Sequence, residues 1–249
     1  MGELTMGRPF FTRPPDIQAT RQLYRQLLNR VESRRGGTRP AGFEHLTGLR
    51  EDLGHGSGPG LGNIAVFNTP RALDQMEWTL ALTGHPKVSA LVTPLQPGEP
   101  DFHATELVKL QILAGMRILD LGCGLEPTFA RAARFLGAQV YTVDLFAATN
   151  FRHALERDGA FRLPETFAAL ERANHIERDL KTPAAVDAIL AASGGNFDLV
   201  TSAHLDSGNL AFWNWIGPKR QVDLTRGVAR SPAVFLMSRG GIDSILEVI

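Results

Sequence analysis

Two acidic residues and two glycines in the middle of the chain have the types and spacing needed to hold a polar ligand. Asp120, Gly122 and Gly124 alternate within one short stretch, and Asp144 ends an apolar run further along. Glycine has no Cβ, so a turn built on Gly122 and Gly124 lets the backbone approach a ligand closely. An ionised carboxylate such as that of Asp144 accepts strong hydrogen bonds, for example from the two hydroxyls of a ribose. Together, these residues predict a nucleoside site.

The segments around these residues have the pattern of a strand, a turn and a helix. Residues 118–121 are apolar except for Asp120; the run is too short for a buried helix and predicts a strand. Residues 127–136 open on a proline, which suits the first position of a helix. Residues 139–145 are β-branched and aromatic and predict the next strand, with Asp144 at its end. A turn between a strand and a helix directs unpaired backbone N–H groups toward its ligand.

Two kinds of nucleotide-binding turn compete for this pattern. The dinucleotide-binding fingerprint requires a third glycine at the position of Pro127, which weakens that interpretation. What remains within residues 120–124, an acidic residue two places before alternating glycines, resembles the first motif of the class I S-adenosylmethionine-dependent methyltransferases. That family usually has a further glycine where this chain has Glu126. The replacement affects the part of the turn that should hold the methionine end of S-adenosylmethionine.

The resemblance implies an α/β fold. It predicts a Rossmann-like, mostly parallel sheet of strand order 3-2-1-4-5, with helices on both faces. We expect this domain over residues 101–249 and a mainly helical N-terminal extension over residues 1–100. Helical spacing of apolar residues predicts helices over 17–35, 71–83 and 102–114.

The later strands follow from short apolar runs. We expect the third, fourth and fifth strands within residues 175–180, 196–203 and 242–249. A helix ending near Met237 should precede the fifth, and the family's sixth and seventh strands are then missing. Because a bare sheet edge is usually covered, residues 64–67 or 88–92, or the second subunit of a homodimer, should cover it.

The resemblance also implies the cofactor and the residues that hold it. The cofactor is S-adenosyl-L-methionine, with S-adenosyl-L-homocysteine as its product, and the implied contacts are Asp120, Gly122, Cys123, Gly124, Asp144, Leu145, Asp179, Leu180 and Ser202. Asp144 should accept the ribose hydroxyls. Asp179 either accepts the adenine amino group or begins the loop before the next helix. Cys123 fits a small residue in a tight turn better than a nucleophile, and no metal is expected.

Candidate catalytic residues follow the predicted fourth strand. A methyl group on a sulfonium is already activated, so the protein must align the acceptor and, for a hydroxyl, remove its proton. His204 has an ordinary pKa of about 6.5, which suits a general base near neutral pH. Asp206 could orient His204 or act itself. The alternative is that His204 is a strand-end residue satisfied by the backbone. From the helix before the first strand, His103 or Glu106 could face the pocket.

The composition of the chain argues against some kinds of binding partner and indicates a cellular compartment. The formal net charge is +0 and the pI is about 7.1, so no overall field draws the protein to nucleic acid or to acidic lipid. Cys123 is the single cysteine, which fits a reducing compartment. The N-terminus lacks the blocks of a signal peptide and no apolar run is long enough to span a bilayer, so we expect a cytoplasmic protein with no membrane partner.

Two functions of different classes fit these observations. The first is a methyltransferase that acts on a small molecule of specialised metabolism, with oxygen as the acceptor. The second is a protein of the same fold that binds the cofactor without methylating, such as a cyclase, an isomerase or an accessory binding partner; Glu126 favours it. A nicotinamide-dependent oxidoreductase is disfavoured by Pro127. Methylation of nucleic acid bases is disfavoured because residues 201–205 lack the Asn/Asp-Pro-Pro-aromatic motif of those enzymes.

Overall fold

A single twisted sheet organises the described part of the chain. The computed structural model describes residues 8–34, 70–88, 110–124, 127–151, 165–202, 216–238 and 244–248. The strands formed by these residues are β1 (Arg117–Leu121), β2 (Gln139–Asp144), β3 (His175–Glu177), β4 (Phe197–Ser202), β5 (Ala229–Ser238) and β6 (Ser244–Val248). They lie in the order β3-β2-β1-β4-β5-β6, and all neighbours except β5 and β6 run parallel. The predicted Rossmann-like order 3-2-1-4-5 is confirmed.

Helices cover both faces of the sheet. They are α1 (Ile17–Arg34), α2 (Pro70–Leu82), α3 (Thr128–Phe135), α4 (Glu165–Ala173), α5 (Ala185–Ser193) and α6 (Pro218–Val228). Side chains of a strand alternate between faces, so Ile118 joins a core with α1, α2 and α3, whereas Leu119 joins a core with α5 and α6. The two-layer covering explains why the central strands are apolar on both sides.

The fifth strand lies earlier in the chain than the sequence predicted. Residues 229–238 form β5, and the preceding helix α6 ends at Val228, so the expected helix ending near Met237 is wrong. The reason is that β5 is buried on both faces: Val234 belongs to one core and Phe235 to the other. A strand buried on both sides is a continuous apolar run, which periodicity alone does not distinguish from a helix.

The segment predicted as the fifth strand is instead β6. It pairs antiparallel with β5, Leu236 opposite Leu246. The edge of β5 is therefore covered by this chain. The expectation that residues 64–67, residues 88–92 or a second subunit would cover an edge concerned the strand predicted at 242–249, and it stays a prediction for β6. Val88 lies in a helical turn, and residues 64–67 and 89–92 lie outside the described residues.

The described N-terminal segments pack directly on the sheet. Phe11 and the α2 residues Met76 and Leu80 are buried in the same core as β1. The ring of Tyr24 stacks on that of Trp78 at 4.0 Å, which joins α1 to α2. The predicted domain boundary near residue 100 lies outside the described residues and stays a prediction. Among the described helices, none has the length and hydropathy to cross a bilayer.

Candidate functional site

The turn after β1 has the backbone that two glycines allow. Gly122 and Gly124 both have φ +69°, in the left-handed region that glycine adopts without a steric penalty. The Gly122 N–H donates to the Val143 carbonyl at 2.8 Å, which ties the turn to β2. Among the described residues, a Cβ added to Gly124 would meet no atom within 4 Å. Glu126 lies outside the described residues.

Asp144 joins the glycine turn to the end of β2. Its Oδ2 accepts the Gly124 N–H at 2.8 Å, and its Oδ1 accepts the Leu145 N–H at 2.7 Å. These bonds fix the direction of the carboxylate. Each carboxylate oxygen has two lone pairs, so Asp144 keeps capacity for further donors from a ligand.

Asp120 lies beneath the turn rather than at its surface. Its side chain is buried and accepts the Thr201 hydroxyl at 2.9 Å. Burial raises the pKa of Asp120 to about 7, more than the Thr201 hydrogen bond lowers it. Asp120 therefore holds β1 to β4, and it is not among the residues that line the cleft described below. Burial, reinforced by the charges of Asp120 and Asp144, also raises the pKa of the Cys123 thiol well above its ordinary value, which argues against a nucleophilic role.

The raised pKa of Asp120 predicts that stability falls as the pH approaches neutrality. Between its ordinary value of 3.8 and about 7, the folded chain holds a proton that the unfolded chain has lost. Going from about pH 5 to about pH 8 should lower the free energy of unfolding by about 2.5 kcal/mol from this group alone. Urea titrations at the two pH values measure the fall, which should be smaller in Asp120→Asn. An equal fall in the variant would contradict this role.

A small cleft opens beside the glycine turn. Its lining comes from the glycine turn and the end of β2, from the loop after β3, and from Ile216 just before α6. The cleft lies at the carboxyl ends of the strands, where ligands bind in open α/β sheets. The described lining residues are Gly122, Asp144, Leu145, Arg178, Asp179, Leu180, Lys181 and Ile216.

The loop after β3 is organised by Asp179. The Asp179 Oδ1 accepts the Lys181 N–H at 2.9 Å, and the Asp179 carbonyl accepts the Thr182 hydroxyl at 2.7 Å. Asp179 thus begins the loop, as one alternative from the sequence had it, and also lines the cleft. Leu180 is buried against the α5 and α6 core, and it turns an apolar surface to the cleft.

His175 supports the part of the cleft that Asp144 and Leu145 line, a role that the sequence did not indicate. Its Nε2 lies 2.6 Å from the Phe146 carbonyl, which can only accept, so Nε2 carries the proton. Its Nδ1 then accepts from the Thr142 hydroxyl at 2.9 Å. Burial lowers the pKa of His175, consistent with this neutral form. His175 therefore anchors the segment after Asp144, and a histidine beginning a short strand gives no sequence signal for that role.

Of the remaining residues predicted for the site, one is buried and the others lie outside the described residues. Ser202 ends β4 opposite Leu121; it is buried, and its hydroxyl has no hydrogen-bond partner among the described residues. Ser202 does not line the cleft. His204, Asp206, His103 and Glu106 lie outside the described residues, so their roles stay predictions. Arg178, Lys181 and Ile216 are lining residues that the sequence did not indicate, because loop residues far apart in the chain share no pattern. Within the described ranges, no group of three His, Cys, Asp or Glu side chains could hold a metal.

No protein-family model and no curated protein sequence matches this chain. Among solved structures, a SAM-dependent methyltransferase from Thiobacillus denitrificans in complex with S-adenosyl-L-homocysteine is 23% identical over 57% of this chain and 49% of its own, with a TM-score of 0.30. YjhP from E. coli is 22% identical over 54% of this chain and 46% of its own, with a TM-score of 0.33. The MycE methyltransferase of the mycinamycin biosynthetic pathway is 16% identical over 68% and 42%, with a TM-score of 0.31. The chain spans about half or less of the length of these structures, and the likeness concerns the fold alone.

Proposed function

We propose that this chain is an S-adenosylmethionine-dependent methyltransferase. The observation that carries the proposal is the 2.8 Å hydrogen bond from the Gly124 N–H to the Asp144 carboxylate. It joins the glycine turn after β1 and the acidic end of β2 into one wall of a cleft. The strand order reverses between β1 and β4, and this switch point is where α/β sheets of this type bind nucleotides.

The side chains around the cleft fit the nucleoside part of this cofactor. Asp144 has lone pairs left for the two ribose hydroxyls. Leu145, Leu180 and Ile216 offer apolar surface to a purine base. Asp179 has a second carboxylate oxygen that can accept from an exocyclic amine, since only its Oδ1 takes the Lys181 N–H.

The chemistry requires little more than alignment. When bound, the cofactor supplies an activated methyl group on its sulfonium. The chain's own residues must align the acceptor, exclude water and take the proton of a hydroxyl acceptor. We assign proton removal to His204, oriented by Asp206. A formal net charge of +0 supports a small-molecule substrate over a nucleic acid, because phosphate recognition depends on a concentration of positive charge.

One observation favours a second function. Glu126 stands where the methyltransferase motif usually has a glycine, at the end of the turn that should hold the methionine part. A protein with this change could bind the cofactor without transferring its methyl group, as a cyclase, an isomerase or an accessory partner would. For either function we place the protein in the cytoplasm, supported by its single cysteine. The homodimer stays a proposal.

Calorimetry with S-adenosylhomocysteine, followed by a turnover assay, tests the proposal. We expect one site per chain of micromolar affinity. We then expect homocysteine to be released by a coupled hydrolase when the chain is given S-adenosylmethionine and a panel of hydroxylated small molecules. Absence of binding at millimolar ligand would refute both functions. Binding without turnover across hydroxyl, amine and thiol acceptors would favour the second.

A further inference from the structure

The first turn of α6 contacts both sides of the nucleoside cleft through two consecutive side chains. The Arg220 Nε donates to the Leu180 carbonyl at 3.2 Å, and its Nη2 donates to the Thr182 carbonyl at 2.6 Å. The Gln221 Nε2 donates to the Ile216 carbonyl at 2.7 Å. Leu180 and Ile216 both line the cleft. One helical turn thus determines how far apart these two apolar surfaces lie.

The loop that Arg220 contacts is held to the sheet at its start, where the Arg178 N–H donates to the Asp144 carbonyl at 2.8 Å. It follows β3, a strand of three residues at the edge of the sheet. The bonds from Asp179 to Lys181 and Thr182 stiffen the loop internally but do not attach it to another element. Arg220 is half-buried, and its guanidinium presents donors in a planar fork, so two bonds to one loop fix both its position and its orientation.

We infer that Arg220 is a positioning residue for the nucleoside end of the cleft. It fixes the position of the Asp179–Leu180 side of the cleft relative to Ile216. It does so through two backbone carbonyls and without touching the ligand. This inference rests on the proposed function, because it assumes that the cleft takes a nucleoside.

Two variants and two probes test this role. Arg220→Ala should weaken the binding of S-adenosylhomocysteine and of adenosine by the same factor, about tenfold. The reason is that Arg220 positions the end of the cleft that takes the nucleoside, which the two ligands share. The number of sites per chain should stay the same. Arg220→Lys, which keeps a cationic donor, should lose less. The matched control is Arg226→Ala, since Arg226 lies on the same helix, is exposed and makes no side-chain hydrogen bond within the described residues. The control should bind both ligands as the wild type does.

Hydrogen exchange gives a readout that needs no ligand. In the free protein, amides of residues 179–182 should exchange faster in Arg220→Ala than in Arg226→Ala, while amides of α5 should not change. An unchanged rate in the loop would overturn the inference. Wild-type affinity in Arg220→Ala would also overturn the inference, and so would a loss of affinity confined to S-adenosylhomocysteine. Fewer sites per chain at unchanged affinity would indicate only poorer folding and would overturn it too. If the wild type binds neither ligand, the proposed function fails and this inference with it.

Discussion

Replacing Asp144 by alanine should weaken the binding of S-adenosylhomocysteine by about 100-fold, or roughly 3 kcal/mol. The proposed ribose acceptor is lost, and a hydrogen bond to a charged group is worth about 1.5–3 kcal/mol. The Gly124 N–H and the Leu145 N–H also lose their acceptor. The glycine turn is then no longer tied to the carboxylate, so the cleft loses both a ligand contact and part of its wall.

Two further variants separate this role from general effects of charge and folding. Asp144→Asn keeps one acceptor oxygen and should lose about tenfold. Asp187→Ala removes an exposed carboxylate from the first turn of α5 and should bind as the wild type does. Calorimetry measures the affinities, and circular dichroism checks that each variant folds. Affinity within about threefold of the wild type in Asp144→Ala would contradict the role of this residue.

Glu171→Ala should be the most destabilising of these substitutions, by about 3–5 kcal/mol. Glu171 on α4 is buried and bonds the Arg131 guanidinium of α3 at 2.8 and 3.0 Å, and a second contact reaches Arg134 at 3.5 Å. The substitution removes the carboxylate that neutralises two buried cations. Removing one partner of a buried ion pair costs far more than the pair contributes, because the remaining charge stays out of water.

The same helix supplies the control. Glu165 also pairs with an arginine, Arg172, at 2.8 Å, but the two side chains are 84% and 47% exposed. An exposed pair contributes about 0–1 kcal/mol, so Glu165→Ala should change the free energy of unfolding little. Urea unfolding followed by fluorescence compares the two variants. Equal losses would show that the burial of the Glu171 pair does not matter.

Local signals were sufficient to predict the centre of the site. Gly122 and Gly124 lie next to a short apolar run, and their spacing requires a tight turn wherever the chain goes afterwards. Asp144 ends a β-branched run one helix later, and parallel neighbouring strands bring such ends together. For this reason the glycine turn and its carboxylate are adjacent in the structure, bonded at 2.8 Å, as their places in the sequence indicated.

Long-range pairing accounts for what the sequence did not predict. Strand β5 was assigned to the wrong segment because burial on both faces removes the alternation that identifies a strand. Asp120 was assigned to the ligand, yet its bond to Thr201 spans 81 residues and turns it into the interior. Arg220 reaches Leu180 across 40 residues, and an arginine in a helix is usually a solvated side chain. No spacing rule connects residues so far apart.

A crystal structure with S-adenosylhomocysteine tests the central claim most directly. We predict that its ribose hydroxyls lie within hydrogen-bond distance of the Asp144 carboxylate, and that its base lies between Leu180 and Ile216. Its remaining part should pass over the glycine turn at Gly122 and Gly124. A ligand bound elsewhere, or one whose ribose makes no contact with Asp144, would contradict the account.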